Sequence, residues 1–132
     1  MMTVDRGSLT VFMAGFLGVM MLMFAFVMDN HVQLQTIAQA DALAAEGARA
    51  ALTAVDTRGS TVEVDMAAAV AAAQSYLAHV GSSGTVRITA PRTVEVVVTV
   101  SEPAIFGLFG SQFSATGSAT AELQADTRGR LP

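Results

Sequence analysis

The chain of 132 residues has no cysteine, so neither a disulfide framework nor a thiolate metal site can form. Lysine is missing as well, and all seven basic residues are arginine. Charged residues make up only 14% of the chain, and no basic run occurs. That removes the electrostatic footing for nucleic-acid binding. Histidine is limited to His31 and His79, with no H-x-x-x-H or Asp/His cluster around either, so no metal site is expected. His31 reads as a marker of a membrane interface, and His79 as a residue near a helix C-terminus, where a cation is favoured. No G-x-S-x-G is present, and no glycine-rich phosphate loop follows a strand. The chain is read as a non-enzyme without a cofactor.

What is present begins with a long apolar run. Ser8 to Met28 contains no charge and is rich in Phe, Met, Leu and Val. As a helix it spans about 31 Å, close to the roughly 30 Å of a bilayer core. A secretory signal is shorter, about 7–15 apolar residues, and is cut soon afterwards at small residues. Here the first Ala-x-Ala falls at Ala38–Ala40, about three turns too late. The run is therefore read as a retained anchor. The alternative is a secreted protein with a long signal peptide.

Charge sets the expected orientation. Arg6 precedes the run, and residues 29–132 carry six arginines against ten carboxylates. The positive-inside rule then favours a cytoplasmic N-terminus and an extracytoplasmic remainder. Within the span, Ala14, Gly18 and Ala25 share a helical face on which a second helix can approach closely.

Beyond Met28 nothing breaks a helix before Gly47, and "ADALAAEGARAAL" is strongly helix-forming. A continuous helix to Ala54 is about 70 Å long and projects roughly 39 Å past a bilayer. Its ridge Ala40, Ala44, Gly47, Ala48 and Ala51 is read as a packing surface for a partner helix. "DTRGST" at 56–61 reads as a turn. Asp65 caps a second helix that Gly81 ends, with a seam of Met66, Val70, Ala73, Leu77 and Val80. "GSSG" at 81–84 reads as a loop.

Three strands follow. Val86, Ile88 and Ala90 alternate with polar residues until Pro91. Val94, Val96, Val98 and Val100 share one face, and alternation is strict from Phe113 to Gln124. The second helix is expected to cover the apolar face of this meander, with Val70 and Leu77 over Val96 and Val98. The fold class is α+β: an N-terminal transmembrane helix continuing into a long exported helix, a short second helix and a three-stranded antiparallel sheet. The expected divisions are a leader at 1–7, a span at 8–28, a helical stem at 29–54 and a small α+β domain at 55–132. Between two strands "PAIFGLFG" places Ile105, Phe106, Leu108 and Phe109 where a polar turn belongs. Two roles are open to it: satellite core over the sheet edge, or an exposed apolar loop for a partner or a membrane surface.

With Arg6-Gly7-Ser8, Asp29 and Ala40-Asp41-Ala42-Leu43-Ala44-Ala45 in place, the chain resembles the TadE/TadF/TadG-like family. These are pilin-like (pseudopilin) minor proteins of the bacterial Flp-type tight-adherence pilus system, and the resemblance covers about residues 5–52. It implies a single-pass accessory subunit that works in pilus assembly or anchoring with other pilin-like proteins, as a homo- or hetero-oligomer. It also implies a processing site between Gly7 and Ser8. Processed members carry a glutamate five residues past the cut, where this chain has Phe12. A carboxylate inside the bilayer would cost on the order of 3 kcal/mol, so Phe12 suits a permanent anchor. An anchored binding or adhesion module unrelated to pili is the alternative from another class.

Overall fold

The computed structural model describes residues 6–53, 55–56 and 63–122, with side chains from 6–53 and 65–122. Helix α1, Arg6–Leu52, is a single 47-residue element, about 70 Å long. Its N-terminal part is long and apolar enough to cross a membrane. From Leu9 to Val27 its large side chains are exposed, and among the described residues aromatic contacts reach it only near its end, at Phe24 and Phe26.

Short strands β1, Val55–Asp56, and β2, Glu63–Val64, pair antiparallel. The rest of the expected 56–61 turn lies outside the described residues, as does the end of the alternation at Leu123 and Gln124. Helix α2, Met66–His79, begins where Asp65 Oδ1 accepts the Ala67 and Ala68 amides at 3.0 and 3.1 Å. It ends in a Schellman motif. The Ser82 N–H donates to Leu77 O and the Gly81 N–H to Ala78 O, with Gly81 at φ 68°. Strands β3, Ser83–Ala90, β4, Thr93–Pro103, and β5, Gln112–Glu122, form an antiparallel meander in the order β3-β4-β5. The expected 81–84 loop is thus shorter, because Ser83 and Gly84 already pair with Thr99 and Val98.

The core corrects the expected layout in one consistent way. Val94, Val96 and Val98 are fully buried, as their alternation predicts. The main cover over β4 and β5, however, is α1. The ridge Ala40, Ala44, Gly47, Ala48 and Ala51 lies inside the same core as the valines, so it admits the chain's own sheet rather than a partner helix. From Thr36 to Ala51 one face of α1 is therefore packed into the same core as the sheet. The second half of α1 is the spine of the body.

Small side chains explain the arrangement. At Gly117 of β5, an added Cβ would collide with backbone atoms of Ala40 and Asp41. The strand thus rests almost directly on the helix. Displaced from the sheet centre, α2 contributes Ala69, Ala73 and Leu77 to the core, with Met66 and Tyr76 beside them. Val70 is only half-buried and Val80 is exposed, so the expected seam is turned by part of a helical step. Edge strand β3 is covered only partly: Val86 is half-buried, while Ile88 and Ala90 are exposed. The outer face of the sheet is polar, with Thr99 and Ser101 hydrogen-bonded to Thr116 and Ser114 at 3.3 Å.

Two substitutions test the spine. Gly117→Ala forces backbone away from backbone and should cost about 1–3 kcal/mol. Ser118→Ala, on the exposed face, should stay within about 0.5 kcal/mol. Likewise Val96→Asp should cost several kcal/mol as an unpaired buried charge, with Thr99→Asp tolerated. Thermal melts followed by circular dichroism in detergent read all four; equal melting of Gly117→Ala and Ser118→Ala would contradict the close approach.

Candidate functional site, an apolar loop held by an aspartate

One side of α1 carries a line of small or polar residues: Ala25, Asp29, Thr36, Ala40, Ala44, Gly47, Ala48 and Ala51 are all buried. Two are polar and need partners. Thr36 is satisfied within the helix, its hydroxyl donating to Val32 O at 2.8 Å. Asp29 is satisfied from 77 residues away. Its Oδ1 accepts the Phe106 N–H at 2.9 Å and its Oδ2 accepts the Leu108 N–H at 3.0 Å.

Those amides belong to the β4–β5 loop, 104–111. The loop is closed at its base, where the Ala104 N–H donates to Ser111 O at 3.1 Å. Gly107 and Gly110 adopt φ of 69° and 140°, which lets the chain curl around a small centre. That centre is the Asp29 carboxylate. The amides of four successive residues, 105–108, act on it, forming a concave anion-binding nest filled by a side chain of the same protein. The Phe106 N–H, then those of Leu108, Ile105 and Gly107, hold its carboxyl below the usual carboxylate range, against burial, which pushes it up. No cation pairs with it: the only ion pair among the described residues is the exposed Arg49–Glu46 bridge at 2.7 Å, whose contribution is small.

Aromatic contacts fasten the loop on both sides of the stripe. Phe106 meets Phe24 edge-on at a centroid separation of 6.2 Å, and Phe109 meets Phe26 at 5.7 Å. Such pairs contribute about 0.5–1.5 kcal/mol beyond area burial. The loop is not satellite core over the sheet edge: it leaves that edge and lies against α1. Its apolar side chains nonetheless remain open, with Ile105 58%, Phe106 52%, Leu108 42% and Phe109 68% exposed. A cleft of about 480 Å³ beside it is lined by Phe26, Asn30, Gln33, Phe109 and Phe113.

The remaining sequence-derived positions do not gather into a site. Gly7, Ser8, Ala14 and Gly18 lie along the uncovered part of α1, and nothing stands within 4 Å of a Cβ built on Gly7 or Gly18. Ala25 is buried, one turn before Asp29. His31 and His79 are exposed and far apart in sequence. Among the described residues no group of three His, Cys, Asp or Glu side chains could hold a metal ion. Asp29 was visible in the sequence only as the first charge after the apolar run. Its tie to the loop carries no local signal, because the partner groups are backbone amides. No family model, curated protein or solved structure matches the chain.

The tie predicts a pH response. Because the folded-state pKa is depressed, the carboxylate contributes stability above the unfolded value of about 3.9 and loses it as pH falls through the lower folded value. The Phe106 and Leu108 amide resonances should therefore hold still between pH 7 and 5 and move only below about pH 4. Asp29→Ala should release both amides at every pH. Asp29→Asn, with one acceptor oxygen, should release one. NMR of the full chain in detergent micelles decides it, and resonances that titrate near neutrality would contradict the assignment.

Proposed function

We propose that the chain is a single-pass membrane protein with a cytoplasmic N-terminus and an extracytoplasmic body. It acts as a non-enzymatic, pilin-like accessory subunit in assembling or anchoring a tight-adherence pilus or related secretion machine. The observation that carries this reading is the form of α1. One uninterrupted helix is bare and apolar in its first half, and in its second half it is the spine of an antiparallel sheet body. That is the plan the Arg6-Gly7-Ser8, Asp29 and Ala40–Ala45 resemblance implies.

The same helix argues against a removable signal peptide. The Ala38–Ala40 site falls within the part of α1 that packs on β5, and Ala40 is completely buried. Cutting there would divide the spine of the body. A terminus at Ser8, by contrast, would leave every packed residue in place.

The absence of cysteine makes single-cysteine crosslinking clean. Gly18→Cys, in the uncovered span, should capture a second pilin-like stem or another component of the pilus machine in cells where that machine works. Ala48→Cys, inside the core, should capture nothing. A C-terminal alkaline phosphatase fusion should be active. Mass spectrometry of the membrane-extracted protein should find a terminus at or before Ser8, never near Asp41. If the phosphatase is active but neither Ala14→Cys nor Gly18→Cys captures a pilus component, an anchored binding or adhesion module becomes the better account.

A further inference from the structure

We infer that the 105–109 loop is immersed in the outer leaflet of the bilayer alongside α1, as a second membrane contact of the extracytoplasmic body. The inference rests on the reading of residues 8–28 as a span.

Depth is the first observation. Phe106 and Phe109 pack on Phe24 and Phe26, which precede the end of the apolar run at Met28 by four and two residues. At about 1.5 Å per residue, the loop's aromatic rings sit roughly 3–6 Å inside that end. A loop held there cannot avoid the boundary region of a membrane that α1 crosses.

Chemistry is the second. From Pro103 to Phe113 no residue is charged, and the four largest apolar side chains of the loop are exposed. They continue the exposed apolar surface of Leu9 to Val27 without a polar gap. The adjoining cleft is lined by Phe26, Phe109 and Phe113 and by Asn30 and Gln33, with the two amides further along α1 than Phe26. Apolar residues toward the span and amides beyond it match the order of acyl chains and headgroups.

Backbone bookkeeping is the third. An irregular segment can enter hydrocarbon only where its amides are satisfied by protein. Here Asp29 takes the Phe106 and Leu108 amides directly, Ala104 N–H finds Ser111 O, and Gly110 N–H reaches Gly107 O at 3.5 Å. The aspartate is therefore the group that makes the loop compatible with lipid, while the aromatic rings supply the affinity.

The chain has no tryptophan, so a single introduced one reports its own depth. Full-length Phe109→Trp, reconstituted in phosphatidylcholine/phosphatidylglycerol nanodiscs at one copy per disc, should emit blue-shifted light. Lipid brominated on the upper acyl chain should quench it strongly, and aqueous acrylamide only weakly. Thr99→Trp, on the outer sheet face, should show the reverse. Phe16→Trp, in mid-span, should be quenched by lipid brominated deep in the chain. If Phe16→Trp is quenched but Phe109→Trp and Phe106→Trp respond like Thr99→Trp, the loop stands in water and the inference is overturned while the span survives. If Phe16→Trp also escapes lipid quenching, the span itself is wrong. Shielding of Phe109→Trp from both quenchers, only in discs holding two copies, would assign the surface to a second chain and overturn lipid as its occupant. Asp29→Ala added to Phe109→Trp should restore acrylamide quenching; undiminished lipid quenching would remove the aspartate from the account.

Discussion

The body depends on the contact between β5 and α1, where Gly117 lies on Ala40 without an intervening side chain. A helix whose buried face is Thr36, Ala40, Ala44, Gly47, Ala48 and Ala51, with Leu43 half-buried beside it, contributes little volume to a core. The sheet supplies the volume instead, through Val94, Val96 and Val98. This close approach also decides where the β4–β5 loop goes. Five residue steps of β5, from Gly117 back to Gln112, rise about 17 Å. Eleven residues of α1, from Ala40 back to Asp29, rise about 16 Å. The two lengths agree, so a strand seated at Ala40 delivers its loop to the level of Asp29.

Asp29 then meets a condition that few carboxylates face. It is buried at the edge of an apolar run, and among the described residues its charge is met by amide dipoles with no arginine paired to it. A nest of successive N–H groups suits this because it carries no side chain that must itself be desolvated. A guanidinium in the same buried place would have to be stripped of water, at a cost its partner does not reliably return. The carboxylate and the loop amides solve one problem for each other, since either left alone would be an unsatisfied buried polar group.

Much of the fold was legible in residue patterns with strong physical causes. The valine alternation of β4, the Asp65 cap and the Gly81 stop each rest on local rules, and each stands in the structure. What misled was the link between them. Amphipathic periodicity is recognised by large side chains, and on that measure α2 was the natural cover for the sheet. The true cover, α1, is written in alanine and glycine, a composition equally suited to a sheet, to a partner helix or to plain helix propensity. Sequence spacing placed the ridge on one face correctly but could not name what lay across it. The apolar loop was conspicuous for the opposite reason, since four large apolar residues in a turn violate the usual pattern. Its destination at Asp29 depends on a long-range backbone contact, and only the register of β5 on α1 fixes that.

These constraints also limit how such a protein could meet others. The small-residue ridge on the second half of α1 is consumed by the protein's own sheet. The side of α1 around Ala14 and Gly18 is still uncovered, and the outer sheet face offers threonine and serine hydroxyls already paired across strands. Because α1 is continuous and the loop grips it at Asp29, Phe24 and Phe26, the body cannot swivel about the end of the apolar run at Met28 without breaking that grip. Any partner that engages the first half of α1 therefore fixes the sheet as well. The first half of α1 and the sheet therefore form one continuous unit, with the bare surface of the helix at one end and the packed sheet at the other.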